Sequence, residues 1–109
     1  MDAMKIAELG ERYARDIRDL TPRIPEHMVD GLVRYIVRGV PGGHFLTAVL
    51  SNDFMEACGR ADADNLDALR AWAAVLYNVA PRGCYGSAEA VSAWIKHGGL
   101  DRLNAAEAA

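Results

Sequence analysis

Apolar side chains recur along most of this chain at steps of three and four residues, the spacing of one face of an α-helix. The first segment shows this most clearly, with a face made of Ile6, Leu9, Tyr13, Ile17 and Leu20. Charged side chains occupy its other faces, and no segment of the chain alternates apolar and polar residues as a half-buried strand does. The pattern therefore predicts an all-α fold that begins with an amphipathic helix over residues 2–20.

A second helix, over residues 25–38, is apolar around nearly its whole circumference. Pro25 suits its first turn, where a missing N–H does no harm, and Gly39 suits its end in a left-handed conformation. The polar residues of this helix form one stripe with a spacing of four: Asp30, Arg34 and Arg38. Because a helix that is apolar on most sides belongs in the middle of a bundle or in an interface, we expect this helix to be central.

Turn and capping residues divide the rest of the chain into shorter helices over residues 44–50, 53–60 and 63–80, and a last one after Ser87. Small polar residues supply the N-caps: Ser51 or Asn52, then Asp62 or Asp64, then Ser87. The 63–80 helix has a predicted core face of Leu66, Leu69, Trp72, Ala73, Leu76 and Val79. Together the elements predict one compact bundle of five or six short helices.

A chain of 109 residues is long enough for one domain with its own hydrophobic core. We expect residues 1–22 to form an N-terminal helix that packs on its own chain or on a second copy. Residues 23–104 form the predicted helical core, and residues 105–109 a frayed tail. An amphipathic first helix next to an all-round apolar second one also predicts a homo-oligomer.

Charge and hydropathy exclude two classes of partner. The formal net charge is −3, and the short 53–60 helix is acidic and apolar, so we expect no direct binding to DNA. No apolar run approaches the roughly 20 residues that cross a bilayer, and the chain carries no signal peptide pattern. These features predict a soluble cytoplasmic protein without a membrane partner.

The residue types that perform catalysis are few and scattered. His27, His44 and His97 lie on three different predicted elements without metal-ligand spacing, and no cofactor motif is present, so we expect neither metal nor cofactor. Cys58 and Cys84 are flanked by small or apolar residues, which is typical of buried free thiols. A small enzyme that pairs either thiol with a histidine in space stays an open alternative.

Arginine and tyrosine occur together in two places, at Arg34-Tyr35 with Arg38, and at Tyr77-Asn78 followed by Pro81-Arg82 and Tyr85. Such a combination suits a phosphate-and-base ligand, because the guanidinium pairs with phosphate while the ring stacks on the base. In the alternative, the arginines form a solvated stripe paired with Asp30, and the tyrosines are rings at the edge of the core.

The middle of the chain, residues 39–54, places an apolar run between Pro41-Gly42-Gly43 and Ser51-Asn52-Asp53. These polar residues either cap helices or contact a ligand. Arg60, beside Asp62 and Asp64, is either a ligand contact or part of a local ion pair. The predicted ligand-binding set is Arg34, Arg38, Asn52, Asp53, Arg60, Asn78 and Tyr85.

Four motifs occur in order along the chain: YxxxGxPxGxFLxAVLxND at residues 35–53, ADxxN at 61–65, LYNxAP at 76–81 and YGS at 85–87. With Trp94, they make residues 28–95 resemble a family of small proteins of unassigned function that bacteriophages and prophages encode. The resemblance implies a phage gene product that acts in the cytoplasm of a bacterial host. It implies no catalytic residues.

Small phage proteins often counter host defence, either by sequestering a signalling nucleotide or by blocking a defence complex. By this analogy we expect a non-enzymatic accessory protein that binds a small anionic or nucleotide-type ligand between helices or subunits. The alternative is a protein–protein inhibitor of a host defence complex, in which the acidic C-terminal half is the contact surface.

Overall fold

The computed structural model describes residues 2–101, and within them the chain forms seven α-helices, one 3₁₀ helix and no strand. The α-helices are α1 Ala3–Leu20, α2 Glu26–Arg38, α3 His44–Leu50, α4 Phe54–Arg60, α5 Ala63–Asp67, α6 Leu69–Asn78 and α7 Ala88–His97. The 3₁₀ helix, Arg82–Cys84, connects α6 to α7. The predicted all-α class is confirmed, and the number of helices exceeds the predicted five or six.

The extra helix arises because the predicted 63–80 helix is divided at Ala68. The Ala68 N–H is shared between the carbonyl oxygens of Asp64 and Asn65, both at 3.1 Å, which tightens the turn toward 3₁₀ geometry. Asn65 is buried there, and its Oδ1 accepts a hydrogen bond from Trp72 Nε1 at 3.1 Å. The second half of this region ends at Asn78, two residues earlier than predicted.

The helix ends agree with the predicted capping chemistry at most positions. Asp62 and Ser87 accept hydrogen bonds from N–H groups in the first turns of α5 and α7, and Gly39 ends α2 in the left-handed region. The prediction for α4 was wrong by one residue, because its N-cap is Asp53 rather than Ser51 or Asn52. Ser51 instead ends α3, and the chain turns between the two helices at Asn52.

Helix α1 packs on α2 of the same chain. Ile17 is its fully buried residue, with Ile6, Leu9 and Tyr13 partly buried against the core. Arg18 Nε donates to Glu26 Oε1 at 3.0 Å, and this hydrogen bond lowers the pKa of the Glu26 carboxyl. Helix α1 therefore contributes to the same core as the helices that follow it within residues 2–101. The predicted frayed tail, residues 105–109, lies outside the described residues.

Helix α2 lies at the centre of the core, as its all-round apolar pattern predicted. Five of its residues are buried: Val29, Leu32, Tyr35, Ile36 and Val37. Two tryptophans pack around this centre. Trp72 contacts Phe45 edge to face, with ring centroids 5.7 Å apart, and Trp94 Nε1 donates to the Tyr35 carbonyl oxygen at 2.9 Å. Long-range hydrogen bonds from aromatic side chains thus tie the C-terminal helices to α2.

Among the helices of residues 2–101, none combines the length and the apolar character that crossing a bilayer requires.

Candidate functional site

A cleft of about 500 Å³ opens between the start of α4 and the length of α6. The end of α3 and the segment after the 3₁₀ helix close its remaining sides. Its walls are mostly apolar, and it is lined by Val49, Asn52, Asp53, Phe54, Ala57, Leu69, Arg70, Trp72, Ala73, Leu76, Tyr77, Tyr85 and Gly86. The cleft therefore offers an apolar trough with three charged or amide side chains on its border.

The rim of the cleft carries large aromatic side chains in contact with solvent. Phe54 is 68% exposed and Tyr77 is 82% exposed, while Tyr85 is half-buried between them and the core. Met55, the neighbour of Phe54 on α4, is 79% exposed. Single exposed apolar residues are common, but several around one concave apolar surface mark a contact surface for another molecule.

Backbone hydrogen bonds hold the border of the cleft in place. The turn between α3 and α4 passes through Asn52, whose φ of 61° is in the left-handed region. The Asp53 N–H donates to the Ala48 carbonyl at 2.9 Å, and the Gly86 N–H donates to the Leu50 carbonyl at 2.8 Å. The second bond joins the α3–α4 turn to the segment that carries Tyr85. The cleft is thus formed before anything binds to it.

The polar side chains on the border of the cleft form few hydrogen bonds or ion pairs within the protein. Asp53 Oδ1 accepts the Glu56 N–H at 3.2 Å as the cap of α4, which leaves the second carboxylate oxygen for other contacts. Within the described part of the chain, the side chains of Asn52 and Arg70 have no hydrogen bond or ion pair, and both are exposed. Arg70 is the cation among the lining residues, and Asp53 is the anion.

Of the seven residues predicted to bind a ligand, the structure brings together Asn52, Asp53 and Tyr85. Arg34 and Arg38 are exposed on α2 and do not line the cleft. The remaining two, Arg60 and Asn78, form contacts within their own helices.

Arg60 Nε binds Glu56 Oε1 at 2.7 Å, one turn earlier on α4. Asn78 Nδ2 donates to the Ala74 carbonyl at 2.8 Å, and its side chain borders a different groove, beside α1. The seven residues therefore do not form one ligand site.

The local ion pairs differ from those that the sequence suggested. Arg60 pairs with Glu56 rather than with Asp62, whose carboxylate lies 3.8 Å from His27 Nε2. Asp30 borders a groove beside α1, and its charge adds a smaller contribution to the pKa of Arg18, which is raised mainly by the hydrogen bond to Glu26. Spacing within one helix does not show the His27–Asp62 pair, because it joins different elements, whereas Arg60 and Glu56 are an i, i+4 pair within α4.

Sequence reasoning missed Phe54 and Arg70 as site residues, and it left Tyr77 open between a ligand contact and a ring at the edge of the core. It also assigned Leu66 and Ala73 to the core face of the 63–80 helix. In the structure Leu66 is 47% exposed and Ala73 is exposed. The sequence did contain a signal for this exposed surface. Leu66, Arg70, Ala73 and Tyr77 follow one another at steps of four, three and four residues, so they form a second helical face beside the buried one.

The two thiols occupy different environments. Cys84 is buried, and burial raises its pKa to about 12, while Cys58 on α4 is half-buried. The Cys84 carbonyl oxygen accepts the Tyr35 hydroxyl at 2.6 Å. Within residues 2–101, neither thiol is hydrogen-bonded to a histidine, and His, Cys, Asp and Glu side chains form no group of three that could hold a metal ion. Burial keeps Cys84 in its neutral, unreactive form.

No family model, curated protein or solved structure matches this chain. The geometry of the cleft therefore carries the functional inference.

Proposed function

We propose that this protein is a non-enzymatic binding protein and that the cleft between α4 and α6 is its contact surface for another protein. The observation that carries the proposal is the pair of exposed aromatic rings, Phe54 and Tyr77, on opposite walls of a preformed apolar cleft. Tyrosine, tryptophan and arginine side chains are the ones that most often dominate binding energy at protein interfaces.

The surroundings of the cleft support a protein partner. Met55, next to Phe54 on α4, and Leu66 on α5 add exposed apolar area to the elements that carry the cleft walls. Arg70 supplies a cation that has no ion pair in the described part of the chain. An apolar centre with a polar border is the usual composition of a protein interface.

The biological setting that we propose is a bacterial cell that carries a phage or prophage, and it depends on the sequence resemblance. There the protein acts as an inhibitor of a host defence complex. The cleft lies within residues 49–86, in the C-terminal half that the sequence suggested as the contact surface. The main contacts are apolar, with charge at the edges.

A second candidate function is binding of a small planar ligand with an anionic group. The cleft volume of about 500 Å³ falls within the range of roughly 300–1,000 Å³ that small-molecule sites occupy. Tyr77 or Tyr85 would stack on the ring, and Arg70 would pair with the anion. The predicted arginines, Arg34, Arg38 and Arg60, do not contribute to this site, which makes a ligand with several phosphates a poor fit.

One comparison of variants separates the two functions. Phe54→Ser and Tyr77→Ser change exposed side chains, so both variants should fold, and Met4→Ser is a matched control on α1. If the cleft binds a protein, capture from host lysate yields a stoichiometric partner that both cleft variants lose and the control retains. A partner that is retained by the cleft variants contradicts the proposal.

The small-ligand function is tested by thermal stabilisation across a panel of nucleotides. A stabilisation that Arg70→Ala removes and Arg34→Ala does not remove favours that function. Native mass spectrometry of the same samples reports the number of subunits, and so tests the predicted homo-oligomer as well.

A further inference from the structure

The helical segment α5–α6 has two apolar faces, of which the bundle covers one. Its covered face includes Asn65, Ala68, Trp72 and Val75, all buried. Its outward face consists of Leu66, Arg70, Ala73 and Tyr77, all exposed. The N–H of Ala68 still bonds the Asp64 carbonyl, and the N–H of Trp72 bonds the Ala68 carbonyl, so the face continues across the division.

The outward face has the spacing of a helix-packing surface. Steps of four, three and four residues place side chains along one seam, which is how two helices interlock. Ala73 lies in the middle of this seam. Because its side chain is a single methyl group, another backbone can approach closely there, between the larger side chains of Arg70 and Tyr77.

Helix α4 provides the second wall of a groove. Phe54 projects into solvent from its first turn, across the cleft from α6, and Val49, Leu76 and Tyr85 lie between the two walls. An apolar groove with two helical walls is the arrangement that receives an amphipathic helix in many protein complexes.

Charge along the groove distinguishes its two walls. Arg70, on the α6 wall, has no ion pair within the described residues, while Glu56 on α4 is already paired with Arg60. Asp53 lies at the α4 side of the groove with one carboxylate oxygen unoccupied by the cap. A partner that binds in the groove therefore matches these charges when one of its carboxylates lies next to Arg70 on α6.

We propose that the cleft binds an amphipathic α-helix of a partner protein, with apolar side chains at positions i, i+3 or i+4, and i+7, and with an Asp or Glu that pairs with Arg70. This inference rests on the proposed function, since it names the partner element that the same cleft accepts.

A helix fits the groove better than an extended segment. An extended peptide gains its affinity by hydrogen-bonding to a sheet edge, and residues 2–101 contain no strand. Against apolar walls its backbone N–H and C=O groups would lose water without finding partners. A helix satisfies those groups internally and presents only side chains to the groove.

The test is selection from a displayed library of peptides of about 15 residues, long enough for an isolated helix to be populated. The library contains helical, proline-rich and alternating patterns, and the targets are the wild-type protein, Arg70→Glu and Arg34→Glu. Arg34 is an exposed arginine outside the cleft, so its variant controls for net charge.

We expect the wild-type protein to select peptides with apolar residues at helical spacing and an acidic residue on the same side. Arg70→Glu should lower the affinity for these peptides about tenfold, because charge repulsion replaces attraction. The peptides that this variant itself selects should carry Lys or Arg where the wild-type binders carry an acidic residue. Arg34→Glu should select the same peptides as the wild-type protein.

Each other outcome contradicts the inference in a distinguishable way. Proline-rich or alternating binders that Phe54→Ser and Tyr77→Ser abolish would overturn the helical partner and leave the proposed function standing. Peptides that bind Phe54→Ser and Tyr77→Ser as tightly as the wild-type protein would overturn both the helical partner and the proposed function.

If Arg70→Glu still selects peptides with an acidic residue at the same position, the proposed contact with Arg70 is wrong. If the library yields no peptide that binds the wild-type protein, the helical partner is wrong. A wild-type dimer that Tyr77→Ser converts to a monomer would show that a second copy occupies the cleft instead.

Discussion

The backbones of Gly39 and Gly99 lie in direct contact, so that a Cβ atom on Gly99 would lie 2.6 Å from the Gly39 nitrogen. A Cβ atom on Gly39 would lie 2.8 Å from the Gly99 nitrogen. Both residues have positive φ, 70° and 72°, a region that side chains disfavour. This contact sets the end of α7 against the end of α2, the central helix of the bundle.

Gly99→Ala should destabilise the protein by about 2 kcal/mol or more, because it adds a methyl group at a backbone contact and a side chain at positive φ. Chemical denaturation monitored by circular dichroism measures the change in the free energy of unfolding. Gly31→Ala is the matched control on α2, where a Cβ meets nothing within 4 Å. The control should be neutral or stabilise by up to about 1 kcal/mol. Equal effects of the two variants would contradict the close approach.

Tyr35→Phe should destabilise the protein by about 1–3 kcal/mol, because the buried Cys84 carbonyl loses the hydroxyl that donates to it at 2.6 Å. The two residues are distant in sequence, so the loss also loosens the 3₁₀ segment from α2. Tyr77→Phe removes an exposed hydroxyl and should leave the free energy of unfolding unchanged. Denaturant unfolding of both variants checks the prediction, which fails if Tyr35→Phe is as stable as the wild-type protein.

The two cysteines should differ in reactivity toward iodoacetamide at neutral pH. Burial raises the pKa of the Cys84 thiol to about 12, so this thiol should stay unmodified in the folded protein. Cys58, half-buried on α4, should react, and both should react after denaturation. Peptide mass spectrometry assigns the modified residue. Rapid alkylation of Cys84 in the folded state would revive the thiol enzyme alternative.

Alkaline solution should destabilise the fold from about pH 9 upward. The Cys84 thiol has an ordinary pKa of 9.0 when unfolded and about 12 when folded, so between these values the unfolded chain binds fewer protons. Stability therefore falls as pH rises, by on the order of 1 kcal/mol per pH unit. Burial also raises the pKa of Tyr35, which steepens the fall above pH 10.

Urea unfolding across this pH range measures the effect. Cys84→Ala should reduce the slope of stability against pH. A wild-type protein with constant stability up to about pH 11 would contradict a neutral, buried Cys84 thiol.

Much of the helical framework could be predicted because it depends on neighbours in sequence. The cap at Asp62, the left-handed end at Gly39 and the burial of α2 follow from local hydrogen bonding and apolar periodicity. The division at Ala68 did not follow, because a shared backbone hydrogen bond and the Asn65–Trp72 contact are not visible in a helical pattern.

The candidate site was predicted only in part. Asn52 and Asp53 were selected as polar residues beside an apolar run, and Tyr85 as a ring that could stack on a base. The structure brings all three to one cleft. Arg34 and Arg38 were selected by residue type, and they point to solvent elsewhere on the molecule. Phe54 was missed because the spacing of apolar residues does not show which of them stay exposed. Tyr77 was considered as a ligand contact but was not included in the predicted set.

The sequence by itself determined the all-α class, the approximate helices and their caps, since these depend on interactions within a few residues. Only the tertiary structure decided which apolar face of α5–α6 is covered and which stays open. That choice depends on the packing of Trp72 against Phe45 and on the bond between Gly86 and Leu50, which join elements far apart in the chain. The same contacts leave Phe54, Arg70 and Tyr77 around an uncovered cleft.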